Sequence, residues 1–203
     1  GYSSAASDVY KRQIIRSPIS PSVMRERLED YHEKDIAEVL PALTSAERKK
    51  LYRILEPDML SNILERVEGA EANTYLIEMD LRKAAQAVEH MESDSALEIL
   101  SQTEGTYRAA VLGDMFELGE LGPELHRSMG EWAASLGNID GLLAVGDLAW
   151  NIYDAARENG MEGVFYAKDR ATAKALLPNF IRPGGVILVK ASRGTVSYTH
   201  LTL

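Results

Sequence analysis

The chain has 203 residues, no cysteine, 45% hydrophobic residues and a formal net charge of −9. The missing cysteines exclude a disulfide framework and a thiolate metal site, and the acidic balance makes the chain a poor nucleic-acid binder. No apolar run reaches the ~20 residues that span a bilayer and no secretory leader is visible, so one or two soluble, cytosolic domains are expected.

Residues 1–13, GYSSAASDVYKRQ, are rich in Ser and Ala and show no hydrophobic period. They look like translated library-adapter sequence, as does the closing string VSYTHLTL over 196–203. With Pro18 and Pro21 following, residues 1–24 are expected to be an unstructured lead-in and residues 196–203 a tail.

From residue 25 to about 101 a twelve-residue period runs through the sequence. Leu40, Tyr52, Leu64, Leu76, Val88 and Leu100 form one column, and Val39, Leu51, Ile63, Tyr75, Ala87 and Ile99 a second. A third holds Leu43, Leu55, Val67, Met79 and Met91, while Ser45, Pro57, Gly69 and Ser93 recur between them. Twelve residues advance a continuous helix by roughly 120° beyond whole turns, so one unbroken helix would smear these columns over three faces. The period keeps a common face only if each unit is its own short helix of about eight residues, or roughly 12 Å. Ser45 and Ser93 suit helix caps, Pro57 a first helical turn and Gly69 a turn. Helices that short are marginal alone and must stack on their neighbours, which predicts a helical solenoid.

Residues 31–40, Tyr31-His32-Glu33-Lys34-Asp35-Ile36-Ala37-Glu38-Val39-Leu40, resemble the opening of the cytosolic N-terminal domain of MgtE-type magnesium transporters. The junctions Glu56-Pro57-Asp58, Ile77-Glu78-Met79-Asp80 and His90-Met91-Glu92-Ser93-Asp94 fit that family's style of loop. The resemblance implies an acidic regulatory domain that senses Mg²⁺, in a family whose parent proteins are membrane transporters. Residues 25–101 carry 18 acidic and 10 basic side chains. Because Mg²⁺ prefers oxygen ligands and keeps several waters, one or two carboxylates per ion suffice. Glu56, Asp58, Glu68, Glu92 and Asp94 are the candidate metal acids, although helix caps and first-turn acids account for the same residues. The pore and sensor pair that follow in the family have no counterpart in this sequence, so transport is not expected.

Past residue 105 the pattern changes to strands alternating with helices. Strands are predicted at Tyr107–Leu112, Gly141–Val145, Val164–Ala167 and Val186–Lys190, and helices at Glu120–Leu136, Asp147–Asn159 and Arg170–Phe180. That alternation predicts a parallel sheet with crossover helices, whose ligands bind beyond the carboxyl ends of the strands. At those ends stand Gly113-Asp114-Met115-Phe116-Glu117-Leu118-Gly119 with His126 beyond, Gly146-Asp147, and Lys190-Ala191-Ser192-Arg193-Gly194.

The string VLGDMFELG with its following His, and the segments LLAVGDLA, FYAKD and ILVKASRG, resemble the C-terminal domain of Mur ligases of the UDP-N-acetylmuramoyl-tripeptide–D-alanyl-D-alanine ligase type. The resemblance implies a Rossmann-like domain of an ATP- and Mg²⁺-dependent amide ligase of peptidoglycan synthesis, acting on a UDP-MurNAc-peptide and D-Ala-D-Ala. Carried onto this sequence, Asp114, Glu117 and His126 would line a closing face, and Lys190, Ser192 and Arg193 would offer donors and positive charge to phosphate or carboxylate. Ala191 departs from the family, which usually has Gly there, and a methyl group would crowd a close backbone approach. The family's first strand with its Asn-Ala-Asn-Pro turn is not found before Ser95, and no Gly-rich phosphate loop occurs anywhere in the sequence. ATP therefore enters as a cofactor only of a complete ligase, and no catalytic residue and no turnover are expected.

The expected layout is an MgtE-like repeat domain over 25–101 and a Mur ligase C-terminal-like α/β domain over 102–195. Asp94-Ser95-Ala96-Leu97-Glu98-Ile99-Leu100 suits both, which makes it the place where two unrelated gene fragments would be joined. The expectation is a chimeric fragment without a complete activity, the alternative being a genuine regulator that couples Mg²⁺ sensing to a ligase-like binding module.

Overall fold

The computed structural model describes residues 4–105 and 107–190. It divides into two compact units, Gly1–Met91 and Glu92–Leu203, each with its own packing.

The first unit is all helical: α1 (Ser4–Arg16), α2 (Pro21–Leu28), α3 (Glu33–Val39), a 3₁₀ turn at Leu40–Ala42, α4 (Ser45–Ile54), α5 (Pro57–Leu64), α6 (Gly69–Glu78) and α7 (Leu81–His90). From α2 onward every helix starts twelve residues after the one before it, at residues 21, 33, 45, 57, 69 and 81. The residue before each start is extended, with ψ between 147° and 160°. The chain therefore breaks and restarts at one fixed interval, and the apolar columns stay on one side. Both six-membered columns are buried throughout, and in the third only Val67 is half-exposed. Helices α1, α3, α5 and α7 pack in sequence along one row, with α2 against α4 beside it.

Two details correct the sequence reading. Residues 4–24 of the expected lead-in are not unstructured: α1 buries Lys11, Ile14 and Ile15, and α2 buries Met24 and Leu28. The spacing of Lys11, Ile14 and Ile15 puts them on one helical face, and Pro21 starts α2 behind a Ser20 cap. Ser45 and Ser93 are first helical residues rather than caps. Thr44 occupies the cap position, where its Oγ1 accepts from the Glu47 amide at 3.3 Å while Glu47 Oε2 accepts from the Thr44 amide at 2.8 Å.

A half-buried ion pair ties this unit together in a way the apolar columns do not announce. Arg48 stands in a column otherwise made of Met24, Ile36, Leu60, Ala72, Ala84 and Ala96. Its guanidinium grips both oxygens of Glu78, Nε to Oε2 at 2.8 Å and Nη2 to Oε1 at 2.5 Å, and its Nη1 donates to the Leu43 carbonyl. Tyr52 adds a hydroxyl bond to Glu78 Oε2 at 2.9 Å, and the Tyr75 ring lies 5.1 Å from the guanidinium carbon. Both side chains of the pair are 13% exposed.

The second unit opens with α8 (Ser93–Gln102), followed by β1 (Tyr107–Gly113), a 3₁₀ turn at Gly119–Leu121, α9 (Gly122–Ser135) and β2 (Gly141–Val145). Next come α10 (Trp150–Glu158), β3 (Val164–Ala167), α11 (Arg170–Leu176), a 3₁₀ turn at Leu177–Asn179 and β4 (Gly185–Lys190). The four strands are parallel in the order β3-β2-β1-β4, as the βα alternation predicts. Tyr107, Ala109, Val111, Leu143, Val145 and Ile187 point to one face, where they pack with Ala173 of α11 and Phe180. The alternate residues, among them Ala110, Leu112, Leu142, Ala144 and Leu188, are also buried, as a sheet covered on both faces requires. Helix α10 packs on β2, β3 and α9, and α8 packs on β4, β1 and α9. Gly130 lets α9 and α10 approach, since a Cβ there would lie 2.2 Å from the Ile152 carbonyl oxygen.

Helix α8 begins at residue 93, still in the twelve-residue register, yet it falls in the second compact unit. The compact units thus divide at Met91 and Glu92, ten residues before the boundary read from the apolar columns. The reason is physical: Ile99 and Leu100, which continue the repeat, are buried in the unit whose sheet α8 covers.

Candidate functional site at the carboxyl edge of the sheet

The strand order places a topological switch point between β1 and β4. The chain runs outward from β1 to β2 to β3, then returns to the far side of β1. Helices that leave in opposite directions open a crevice at the carboxyl ends of such strands, which is where α/β sheets bind ligands. Leu112 of β1 pairs with Lys190 of β4, so Gly113-Asp114 and Lys190 end side by side at that edge. Gly113 also pairs with Val145, which brings the Gly146-Asp147 turn to the same edge.

Asp114 reaches sideways rather than outward. Its Oδ1 accepts from the Ala149 amide, in the turn that leads into α10, at 2.7 Å. The carboxylate lies over Gly146, where φ is +124° and a Cβ would meet Asp114 Oδ1 at 2.3 Å. Only glycine accepts both that backbone angle and that contact.

His126, expected to line a closing face, is 0% exposed. Its Nε2 accepts from the Met115 amide at 2.9 Å, and its Nδ1 donates to the Gly122 carbonyl at 2.6 Å. Both ring nitrogens are thus engaged inside the protein, which requires the Nδ1–H tautomer.

Glu117 is the exposed member of the group. It sits in the β1–α9 loop with φ of +66°, the one non-glycine residue with positive φ among those described. Asp147 is exposed as well, and Lys190 is half-buried. The Tyr166 hydroxyl is held above its ordinary value, first by burial and then by the charges of Asp147, Asp114 and Asp169, which locates all three carboxylates around one edge of the sheet. Asp169 itself caps α11, its Oδ1 accepting from the Thr172 amide at 2.8 Å. Trp150, Tyr153 and Tyr166 pack beside them, with Trp150 edge-on to Tyr166 at 5.0 Å. Sequence reasoning missed this aromatic group, although Trp150 and Tyr153 follow the Gly146-Asp147 turn within one helical turn of each other. Ser192 and Arg193 lie outside the described residues.

The candidate metal acids stand at helix starts. Glu56, Glu68 and Glu92 stand at the positions just before α5, α6 and α8, and Asp58 and Asp94 in the first turns of α5 and α8. Glu56 lies 3.5 Å from Arg25, and Asp94 Oδ1 accepts from the Ser95 amide at 2.8 Å. Glu68 borders an open groove of about 740 Å³ whose other charged residues are Lys34, Glu38, Glu65, Arg66 and Glu71. Among the described residues no group of three or more His, Asp or Glu side chains is placed to hold a metal. The candidate acids stand in pairs at the starts of α5 and α8 and singly at α6, where an acid next to the helix N-terminus is favoured by the helix dipole. Among the described residues no helix is long and apolar enough to cross a membrane.

Comparison with known proteins agrees with both resemblances. Residues 31–117 match the MgtE intracellular N domain. Residues 91–193 match the family described as Mur ligase, glutamate ligase domain. A similar curated protein is the UDP-N-acetylmuramoyl-tripeptide–D-alanyl-D-alanine ligase of Synechocystis sp., 37% identical over 98 residues, which are 48% of this chain and 21% of that protein. The chain therefore spans about a fifth of the length of that relative. The two family matches overlap from residue 91 to 117, the stretch that holds α8 and β1. A parallel sheet with its switch point at Gly113-Asp114 and Lys190, matched over half the chain, shows that the protein belongs to the Mur ligase family through its glutamate ligase domain.

Proposed function

We propose that the second unit is the ligand-facing part of an ATP-dependent amide ligase of the D-alanyl-D-alanine-adding kind. The observation that supports this most is the pairing of Leu112 with Lys190, which sets an acidic loop and a cation side by side at the switch point. Asp147 and Glu117 offer carboxylates to the amine of an incoming dipeptide. Lys190, followed in sequence by Ser192 and Arg193, offers positive charge to its carboxylate or to a phosphate. ATP and Mg²⁺ supply the acyl-phosphate chemistry only in a complete ligase. The 203 residues contain no Gly-rich phosphate loop, so these residues by themselves bind without turnover.

The first unit is an acidic, Mg²⁺-responsive regulatory domain in this reading, its helix-start carboxylates repelling one another until cations screen them. The chain is a join of two parents, made where their sequences agree around residues 91–117. Calorimetric titration with Mg²⁺ and then with ATP–Mg²⁺ tests the parts. Heat with Mg²⁺ alone supports the sensor, heat with ATP–Mg²⁺ alone supports the ligase unit, and no heat with either overturns both. A single unbroken sequencing read across codons 90–110 from the source sample would overturn the join.

One observation favours a second reading, a genuine regulator that couples Mg²⁺ to a ligase-like module. Helix α8 keeps the twelve-residue register of the repeats while covering the sheet, as an element selected for both roles would.

A further inference from the structure

Three residues of the β1–α9 region divide their work, two facing inward and one outward. Asp114 spans from the end of β1 to the Ala149 amide, tying the loop to the β2–α10 turn. His126 takes the amide of the next residue, Met115, and passes its own N–H to the Gly122 carbonyl at the start of α9. Successive loop residues are thus anchored to different elements, and the segment that follows, Phe116–Leu118, carries Glu117 in the left-handed region. A non-glycine residue at positive φ persists only where its surroundings over-determine it.

We infer that His126 is a positioning residue whose buried imidazole fixes the β1–α9 loop, so that Glu117 is presented to the ammonium group of a peptide substrate. This rests on the amine-binding reading of the edge given above. The imidazole is suited to the task because its two nitrogens lie on opposite sides of one rigid ring. One side accepts from an amide that otherwise lacks a partner, and the other donates to a helix-terminal carbonyl, so the ring transmits the position of α9 to the loop. Truncation to an apolar side chain of similar bulk fills the space and leaves the half-buried Met115 amide without its acceptor. Glu117 needs no inward contact for its place, so its removal leaves the loop intact.

The test uses the full chain and its variants His126→Leu, His126→Gln and Glu117→Gln, with D-alanyl-D-alanine as the probe. Hydrogen exchange of the Met115 amide is expected to speed up at least about tenfold in His126→Leu, the equivalent of losing one hydrogen bond. His126→Gln restores part of that protection through its amide oxygen, and the later turns of α9 stay protected in both. Unchanged Met115 exchange in His126→Leu overturns the pin. Loss of protection throughout the sheet in both His126 variants also overturns it, since His126 is then only a core-filling group. In NMR titrations Glu117→Gln is expected to weaken dipeptide binding about tenfold with Met115 exchange unchanged, and binding equal to the parent chain overturns the presented carboxylate. If the parent chain binds no dipeptide, the amine-binding reading fails and the presented carboxylate with it, while the exchange data still decide the pin.

Discussion

Arg48 and Glu78 show what a single residue can do against its column. Every neighbour of Arg48 at twelve-residue spacing from Met24 to Ala96 is apolar, yet its guanidinium is satisfied by a carboxylate and a backbone carbonyl. Removing one partner of such a pair leaves the other charge half-buried without its partner, so Arg48→Met is expected to lower the stability of the first unit by ~1–3 kcal/mol in urea unfolding. Glu78 is held below its ordinary value of 4.5, first by its hydrogen bonds from Arg48, with burial opposing. A carboxyl depressed in the folded state adds stability that is present above 4.5 and is lost as the pH falls through the lower folded value. Acid titration of the parent chain is therefore expected to show a loss of stability in that window, and Glu78→Gln to flatten it. The same scale marks the limit of reading from sequence. Asp114, Glu117 and His126 stood out as a motif, but nothing in their spacing says which point inward. Burial decides that, and burial depends on how α9 lies on the sheet. Arg48 was legible in principle, as the one charged residue in an apolar column, while its partner lies thirty residues further on at no repeating interval.

At the scale of elements, the twelve-residue beat foretold the breaks of the repeat helices, because one extended residue before each start resets the helix direction. The strands were legible to within a residue at each end, since each is a short apolar run flanked by turn residues. The lead-in was not. Among residues 4–28 the repeat's apolar columns are only partly filled, by Met24 and Leu28 among others, yet α1 and α2 find apolar partners in tertiary packing, which outweighs weak local signals. Helix α8 is the ambiguous element, since its sequence answers to both patterns and only packing assigns it. A fragment starting at Glu92 is expected to keep the sheet unit folded, whereas one starting after Gln102 uncovers β1 and β4 and loses ~2–4 kcal/mol or precipitates. Urea unfolding and solubility of the two fragments check this, and equal stability would assign α8 to the repeats.

For the whole molecule, two compact units with separate packing imply two unfolding events. Scanning calorimetry is expected to resolve two transitions, with Arg48→Met moving one and leaving the other in place. A single peak that shifts as a whole would mean that the units share one cooperative core. Both family matches and the division at Met91 and Glu92 fit the two-transition outcome, and neither depends on what joined the halves.

The single-row packing of α1, α3, α5 and α7 has a genetic corollary. The spelling of the units recurs every twelve residues, but a helix returns to the same row only after two of them. Tandem duplication or loss of two adjacent modules preserves the seating of everything downstream. Gain or loss of a single module transfers each later helix to the opposite row. Lineages carrying this array should therefore differ in length by steps of twenty-four codons far more often than by twelve.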